Sequence, residues 1–292
     1  MRIAVVQFHV DPWSSEVNWS RMEEFMKAAS ERGADLVPLT QTVNRHRGFV
    51  GGGGEPGGEV AENVAEKISK LASTYKIDLV PGTVRERDPV DNCIYNNAYY
   101  VDKDGAILLH YRKIHLWGFE RKNVTQGNYG LPTAKNRFGI QVGLCICWDL
   151  NFPECFREMA LNKNAQLVIV PAHWCLEDAG KIGLGHDAMS EVKFIDSLCI
   201  TRAFENEICL VYCNTAAPRT PTEPSFTSAG RSQITVPFKG PVAHLDHNRE
   251  DMIIADVDIK AITQDAESVY WIKKDWDSGY IFGRPSNSNG NS

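Results

Sequence analysis

Strand-like and helix-like segments alternate along the first 84 residues of the chain, and this alternation restricts the fold more than any other feature. Residues 1–7, 34–39 and 77–84 are apolar runs of strand length, whereas residues 18–32 and 60–75 place apolar side chains at three- and four-residue spacing. The two patterns are typical of buried strands and of amphipathic helices, respectively. Strands separated by helices predict a layered α/β architecture.

The composition and charge of the chain limit the kinds of protein that it can be. With 292 residues, of which 43% are apolar, the chain can bury the core of one large α/β domain. The formal net charge of -6 is spread along the sequence without a basic cluster, which argues against a nucleic-acid or anionic-membrane partner. The amino terminus lacks the features of a signal peptide, and no apolar run approaches the roughly 18 residues of a membrane span. We therefore expect a soluble, cytoplasmic protein.

The cysteines indicate a reducing compartment. All 8 are scattered through strand-like and helix-like segments, without a CxxC pair or a compact disulfide framework. Cys145 and Cys147 have the spacing of two metal ligands, but no second ligand pair at zinc-type spacing accompanies them. Neither a metal ion nor a cofactor is predicted.

Cys147 stands at a predicted junction between a strand and a helix. Residues 140–146 predict a strand buried mainly on one face, and residues 152–161 predict a helix whose start Asp149 or Asn151 can cap. A cysteine at such a junction lies near unpaired backbone N–H groups, which favour the thiolate. The arrangement predicts a nucleophile.

Other predicted strands lead to further polar and aromatic residues. Residues 106–111, the second strand of a predicted hairpin, lead to Lys113, and residues 166–170 lead to His173 and Trp174. The remaining predicted elements are a helix at 188–205, strands at 208–213, 229–237, 242–245 and 251–257, and a flexible tail at 285–292.

These motifs resemble those of the nitrilase superfamily of carbon–nitrogen hydrolases. The resemblance extends over about residues 1–275, and the order and spacing of the motifs make it specific. The matching stretches are the lysine motif at 111–116, the cysteine motif at 147–154, and the supporting motifs at 171–174, 202–206, 214 and 230–237. The resemblance implies a four-layer α-β-β-α sandwich, with a single domain at 1–284, that dimerises into a larger sandwich and forms a homodimer or higher homo-oligomer.

The resemblance also implies roles for individual residues. Cys147 would be the nucleophile, Lys113 the stabiliser of the oxyanion, and Glu120 an auxiliary acid that orients Lys113 and the substrate. The substrate-binding candidates are Trp148, His173 and Trp174, although core packing explains the two tryptophans equally well.

The implied reaction is hydrolysis of a small linear amide or N-carbamoyl compound through a cysteine thioester. Asp149 favours amides over nitriles, because the nitrile-cleaving branch of the superfamily tends to have glutamate at that position. Nitrile hydrolysis stays an alternative. A papain-like pairing of Cys147 with His115 or His173 is a second alternative, but neither histidine has an evident Asn or Asp to orient it.

Gln41 departs from the family pattern. The superfamily has its general-base glutamate at the position that Gln41 occupies, and an amide cannot take a proton from a thiol. Three interpretations follow: a substitution introduced to trap an otherwise active enzyme, a natural pseudoenzyme that only binds, or an active enzyme whose base is another residue such as Glu120.

Overall fold

The computed structural model describes residues 1–11, 14–40, 63–118, 120–128, 130–218 and 227–279, so Gln41 and the predicted tail at 285–292 lie outside the described residues. The strands are β1 (Arg2–Gln7), β2 (Leu36–Pro38), β3 (Asp78–Val80), β4 (Thr83–Arg87), β5 (Ile94–Val101), β6 (Ile107–Arg112), β7 (Thr133–Lys135), β8 (Gln141–Leu144), β9 (Leu167–Pro171), β10 (Cys209–Cys213), β11 (Gln233–Val236), β12 (Gly240–His244) and β13 (Asp251–Asp256). The helices are α1 (Ser15–Glu31), α2 (Val64–Tyr75), α3 (Glu120–Asn123), α4 (Pro153–Arg157), α5 (Gly180–His186), α6 (Ser190–Glu205), α7 (Ile259–Tyr270) and α8 (Ile272–Asp277).

The strands form two sheets with parallel strands at their centres. The first sheet has the order β13-β1-β2-β3-β5-β4, with β6 also paired to β5, and β1, β2 and β3 run parallel. The second sheet has the order β12-β11-β10-β9-β8-β7, and β8, β9 and β10 run parallel. Loops that follow the carboxyl ends of parallel strands meet at one edge of a sheet, where α/β proteins commonly bind ligands.

The two sheets pack face to face between two layers of helices. Alternate residues of β1 point in opposite directions, so that Ile3 and Val5 enter the core between the sheets and Val6 enters a second core beneath α1 and α2. The Cys213 thiol of β10 donates to the carbonyl of Val6 at 3.0 Å, which joins the sheets at their centres. Helices α4 and α6 cover the outer face of the second sheet. The predicted α-β-β-α sandwich is thus confirmed.

Most predicted elements lie close to the observed ones, including the helix at α1 and the hairpin of β5 and β6. The predicted single strand at 77–84 is wrong, because the chain breaks at Pro81-Gly82 into β3 and β4. Proline lacks the N–H that a continuous strand donates, and Gly82 has a φ of +86°, which favours glycine. Helix α7 lies outside the predicted elements, although Asp258 caps it by accepting from the Ala261 N–H.

The helix predicted at 152–161 is present, but it is not capped as expected. It begins at Pro153, runs as α4 to Arg157, and continues as a π-helical turn at Glu158–Asn162. Neither Asp149 nor Asn151 caps α4, because a separate 3₁₀ turn, Cys147–Asn151, lies between β8 and α4. Asp149 instead accepts from the Ile146 N–H and stabilises that 3₁₀ turn.

No helix in the described part of the chain has both the length and the apolar character that crossing a membrane requires.

Candidate active site

Cys147 lies on a tight turn at the edge of the second sheet. It is 6% exposed and has a φ of +48°, a left-handed conformation that non-glycine residues rarely adopt. Such a conformation costs on the order of 1–3 kcal/mol and persists only where the surroundings enforce it. Here the Arg202 guanidinium donates to the carbonyls of Leu150 at 3.1 Å and Asn151 at 3.2 Å, which fixes the end of the turn. Arg202 is therefore a buried structural residue at this turn.

Lys113 and Glu120 form a buried ion pair beside this turn. The Lys113 Nζ lies 2.5 Å from Glu120 Oε2, and the two side chains are 1% and 4% exposed. Glu120 also accepts from Asn96 Nδ2 at 2.9 Å and from the Trp117 N–H at 3.0 Å. The pair thus has fixed geometry in a region of low dielectric constant, where an ammonium acts strongly on nearby charge.

Both members of the pair stay charged near neutral pH. Burial opposes ionisation of Lys113, but the Glu120 carboxylate raises the pKa of the lysine overall. Burial likewise opposes ionisation of Glu120, but Lys113 and the Trp117 N–H lower the pKa of that carboxyl overall. A carboxylate that is already saturated with donors and has a lowered pKa is a poor base.

The thiol of Cys147 is protonated at neutral pH. Burial raises its pKa to about 11, although the Lys113 ammonium acts in the opposite direction. The protonated thiol donates to the His173 carbonyl, 3.6 Å from the sulfur. The expectation that the junction of strand and helix favours the thiolate is therefore wrong. Removal of the thiol from water outweighs the nearby positive charge, so a nucleophilic Cys147 needs a base.

The predicted aromatic residues lie together next to Cys147. The ring centroids of Trp148 and Trp174 are 5.4 Å apart, and those of Trp148 and Trp117 are 4.0 Å apart. Trp174 is 1% exposed, and its indole N–H donates to Glu191 at 2.5 Å, so its ring packs in the core. Trp148 and Trp117 are only partly buried, so part of each ring is exposed at the turn that carries Cys147.

The structure adds three residues to the site that the sequence did not indicate. Asn96 and Trp117 hold Glu120, as described above, and Asp178 accepts from the Trp117 indole N–H at 3.3 Å. Burial raises the pKa of Asp178 to about 6, and its charge acts on Cys147. Trp117 is only four residues after Lys113, so its position in the sequence could have indicated that it lies near the site. Asn96 and Asp178 come from distant segments, and nothing in the sequence indicated that they reach the site.

The two histidines of the papain-like alternative have other partners. His115 Nδ1 lies 2.8 Å from Asp149 Oδ1 and 3.7 Å from the sulfur of Cys155. The expectation that His115 has no Asp partner is thus wrong, but its ring faces Cys155 and not the candidate nucleophile. His173 meets the Cys147 thiol through its backbone carbonyl, while its Nε2 lies 3.1 Å from the sulfur of Cys175.

The chain reaches this region again at Thr40, the last described residue before Gln41. Thr40 is buried, and its hydroxyl donates to the carbonyl of Ala172 at 3.3 Å, one residue before His173. Thr40 therefore lies close to the residue whose carbonyl contacts the Cys147 thiol.

In the described ranges, one group of side chains has the composition and spacing of a metal site: His115, Asp149 and Cys155, whose donor atoms lie within 4.8 Å of one another. The donors already bond to one another, and burial raises the pKa of the Cys155 thiol far above its usual value. A protonated thiol is a poor metal ligand, so this group fits hydrogen bonding better than coordination.

Replacement of Gly127 by alanine is expected to distort the loop that carries Lys113. The Gly127 N–H donates to the Lys113 carbonyl at 2.9 Å, and a Cβ at Gly127 would lie 2.3 Å from the carbonyl oxygen of Arg112. We expect Gly127→Ala to lower the free energy of unfolding by about 1–3 kcal/mol, measured by urea unfolding.

Gly185→Ala is the matched control for that substitution. No atom lies within 4 Å of a Cβ at Gly185, which is in α5, so alanine there should be neutral or slightly stabilising. Equal unfolding free energies for the two variants would contradict the close approach at Gly127.

Comparison with known proteins places this geometry in context. Residues 2–267 match the carbon-nitrogen hydrolase family. The chain is 33% identical over 192 residues to a probable nitrilase of Schizosaccharomyces pombe, an alignment that spans 66% of this chain and 63% of that protein. It is 27% identical over 294 residues to the omega-amidase NIT2 of Xenopus tropicalis, with 92% of each chain covered.

A solved structure of similar architecture comes from an amidase of Nesterenkonia sp. AN1. The TM-score is 0.69 at 26% sequence identity, and the match covers 94% of this chain and 99% of that one. The protein in that structure is a glutamate-to-glutamine mutant, and acrylamide has added to its active-site cysteine.

Proposed function

Since the chain belongs to the carbon–nitrogen hydrolase family of the nitrilase superfamily, we propose that it hydrolyses a small linear amide or N-carbamoyl compound through a thioester on Cys147. The observation that carries the proposal is the buried ammonium of Lys113, held by Glu120 beside a thiol on a left-handed turn. The similarity to omega-amidases and to a solved amidase supports amides as the substrate class.

The geometry supports a two-step acyl transfer. The sulfur of Cys147 attacks the carbonyl carbon, and the carbonyl oxygen becomes an oxyanion that the Lys113 ammonium and the backbone N–H after Cys147 stabilise. The thiol proton passes to the departing nitrogen, which leaves as ammonia or an amine. Water then attacks the thioester, which releases the acid and restores the thiol.

We infer that Gln41 limits both steps. The proton must leave a thiol whose pKa is about 11, and neither an amide side chain nor the saturated Glu120 can accept it readily. This argues against Glu120 as the base in the third interpretation above.

Assembly of the protein into an oligomer stays a proposal. Exposed apolar side chains on α5, α6 and the segment between them support assembly into a homodimer or a higher homo-oligomer: Ile182, Met189, Phe194 and Ile200. A single domain at 1–284, a cytoplasmic location and nitrile hydrolysis as an alternative reaction stay predictions.

Incubation with acrylamide should add one acrylamide to Cys147 of the chain as it stands. The amidase structure carries such an adduct on a glutamate-to-glutamine mutant, so addition there does not depend on a glutamate base. We expect a single mass increase by intact-protein mass spectrometry, mapped to Cys147 by peptide analysis and lost in Cys147→Ala.

Cys93 is the appropriate second control, because it is the described cysteine that is not buried. Addition at Cys93 alone, or no addition to Cys147 over hours at pH 8, would contradict a reactive thiol and favour the alternative function of a binding protein without turnover.

A further inference from the structure

The buried carboxylate of Asp149 connects the two segments that carry Lys113 and Cys147. It is 0% exposed and accepts from the Ile146 N–H at 2.8 Å, the Tyr111 hydroxyl at 2.7 Å, the His115 N–H at 3.1 Å and the His115 Nδ1 at 2.8 Å. Ile146 is the residue directly before Cys147. The other three donor groups belong to Tyr111 and His115, each of which is two residues from Lys113. The carboxylate thus bonds to both segments at once.

The same connection is reinforced on the Lys113 side. The Tyr111 hydroxyl donates to Asp149 and accepts from the Ile114 N–H at 3.1 Å, so the backbone directly after Lys113 is tied to the Asp149 carboxylate through one side chain. The His115 ring stacks on Phe152 with centroids 3.6 Å apart, which holds the imidazole against the far end of the turn. Because Tyr111 is 1% exposed, water does not compete for these bonds.

We propose that Asp149 is a positioning residue that fixes the Lys113 ammonium relative to the sulfur of Cys147 through Tyr111, His115 and Ile146. The effect of Asp149 on turnover rests on the proposed function. Its effect on the position of Lys113 does not. The hydrogen bonds of the Asp149 side chain go to Tyr111, His115 and Ile146, not to the sulfur of Cys147. Asp149 acts because the ammonium and the sulfur belong to different segments, whose relative position nothing covalent fixes, and misplacement by about 1 Å can cost on the order of 10²-fold in rate.

Alkylation of Cys147 separates this positioning role from a simple charge effect. The charged groups that act on the sulfur are Lys113, Glu120 and Asp178. Asp149 is not among these groups, so removal of its charge alone, with the geometry kept, would leave the rate of alkylation unchanged or slightly higher. Displacement of Lys113 would make the thiolate harder to form and slow alkylation. The positioning role therefore predicts a lower rate, and a simple charge effect does not.

The experiment measures the rate of acrylamide addition to Cys147 between pH 8 and pH 10 in Asp149→Asn, Tyr111→Phe and the parent chain. We expect addition to slow about tenfold in Asp149→Asn, which corresponds to about one unit in the pKa of the thiol, and to slow less in Tyr111→Phe. The matched control is Asp104→Asn, whose carboxylate is 60% exposed on the β5–β6 turn and which should react as the parent does. Circular dichroism checks the fold of each variant.

A rate that is unchanged or higher in Asp149→Asn, with the fold intact, overturns the proposal. If Asp149→Asn does not fold, an unchanged rate in Tyr111→Phe overturns it in the same way. In the Gln41→Glu background, Asp149→Asn should lower kcat on the order of 10²-fold with little change in KM. If that background hydrolyses no amide, the proposed function fails, whereas the alkylation rates still decide the role of Asp149.

Discussion

Gln41→Glu is expected to raise the rate of amide hydrolysis by about 10²–10⁴-fold, the usual contribution of a positioned general base. With a pKa of about 11, only about 1 in 10⁴ Cys147 side chains is a thiolate at pH 7. The family resemblance implies that a glutamate at position 41 removes this penalty by accepting the proton as the carbon–sulfur bond forms. It can also activate the water that hydrolyses the thioester. The measurement is ammonia release from a panel of linear amides and N-carbamoyl compounds.

The dependence on pH should differ between the two proteins. The chain with Gln41 must react through preformed thiolate, so its rate should rise about tenfold per pH unit up to a pH near the Cys147 pKa of about 11. The rate of Gln41→Glu should rise only until the new carboxylate is ionised and then level off at a much lower pH. Gln41→Met, which introduces no base, is the matched control and should follow the profile of the parent. Identical profiles for Gln41→Glu and Gln41→Met would contradict a base at this position.

Much of the architecture follows from local sequence patterns. Apolar spacing predicted α1 and the hairpin of β5 and β6, because helix and strand periods depend on neighbouring residues alone. The break at Pro81-Gly82 was missed because both flanking segments are apolar, and the pattern of hydrophobicity continues across the break. The role of Asp149 was missed for a different reason. Its partner Tyr111 is 38 residues away, and a helix cap was the only local use for the carboxylate.

The candidate site was predictable in its residues but not in its electrostatics. Lys113, Glu120 and Cys147 were identified from motifs, and the structure brings them together. The protonation state of Cys147 was predicted wrongly, because local sequence shows the nearby N–H groups but not the burial that raises the pKa of the thiol. Burial depends on the whole fold, and the same holds for Asn96 and Asp178, which reach the site from other segments.

Replacement of Lys113 should reduce both stability and activity, and the two effects can be separated. Lys113→Met leaves the Glu120 carboxylate buried without its cation, so we expect the free energy of unfolding to fall by about 3–5 kcal/mol. It also removes the ammonium that would stabilise the oxyanion, at a cost on the order of 10²–10³-fold in kcat for the Gln41→Glu enzyme. Urea unfolding and initial rates measure the two losses.

The double variant Lys113→Met/Glu120→Gln distinguishes a structural ion pair from a catalytic one. Glutamine carries no charge, so most of the lost stability should return, since the penalty in the single variant comes from an unpaired buried carboxylate. The activity should not return, because the Lys113 ammonium is missing from both variants. Recovery of both stability and rate in the double variant would mean that Lys113 only neutralises Glu120. Recovery of stability alone means that the fold tolerates a neutral pair, and that the charge is retained at position 113 for the chemistry at Cys147.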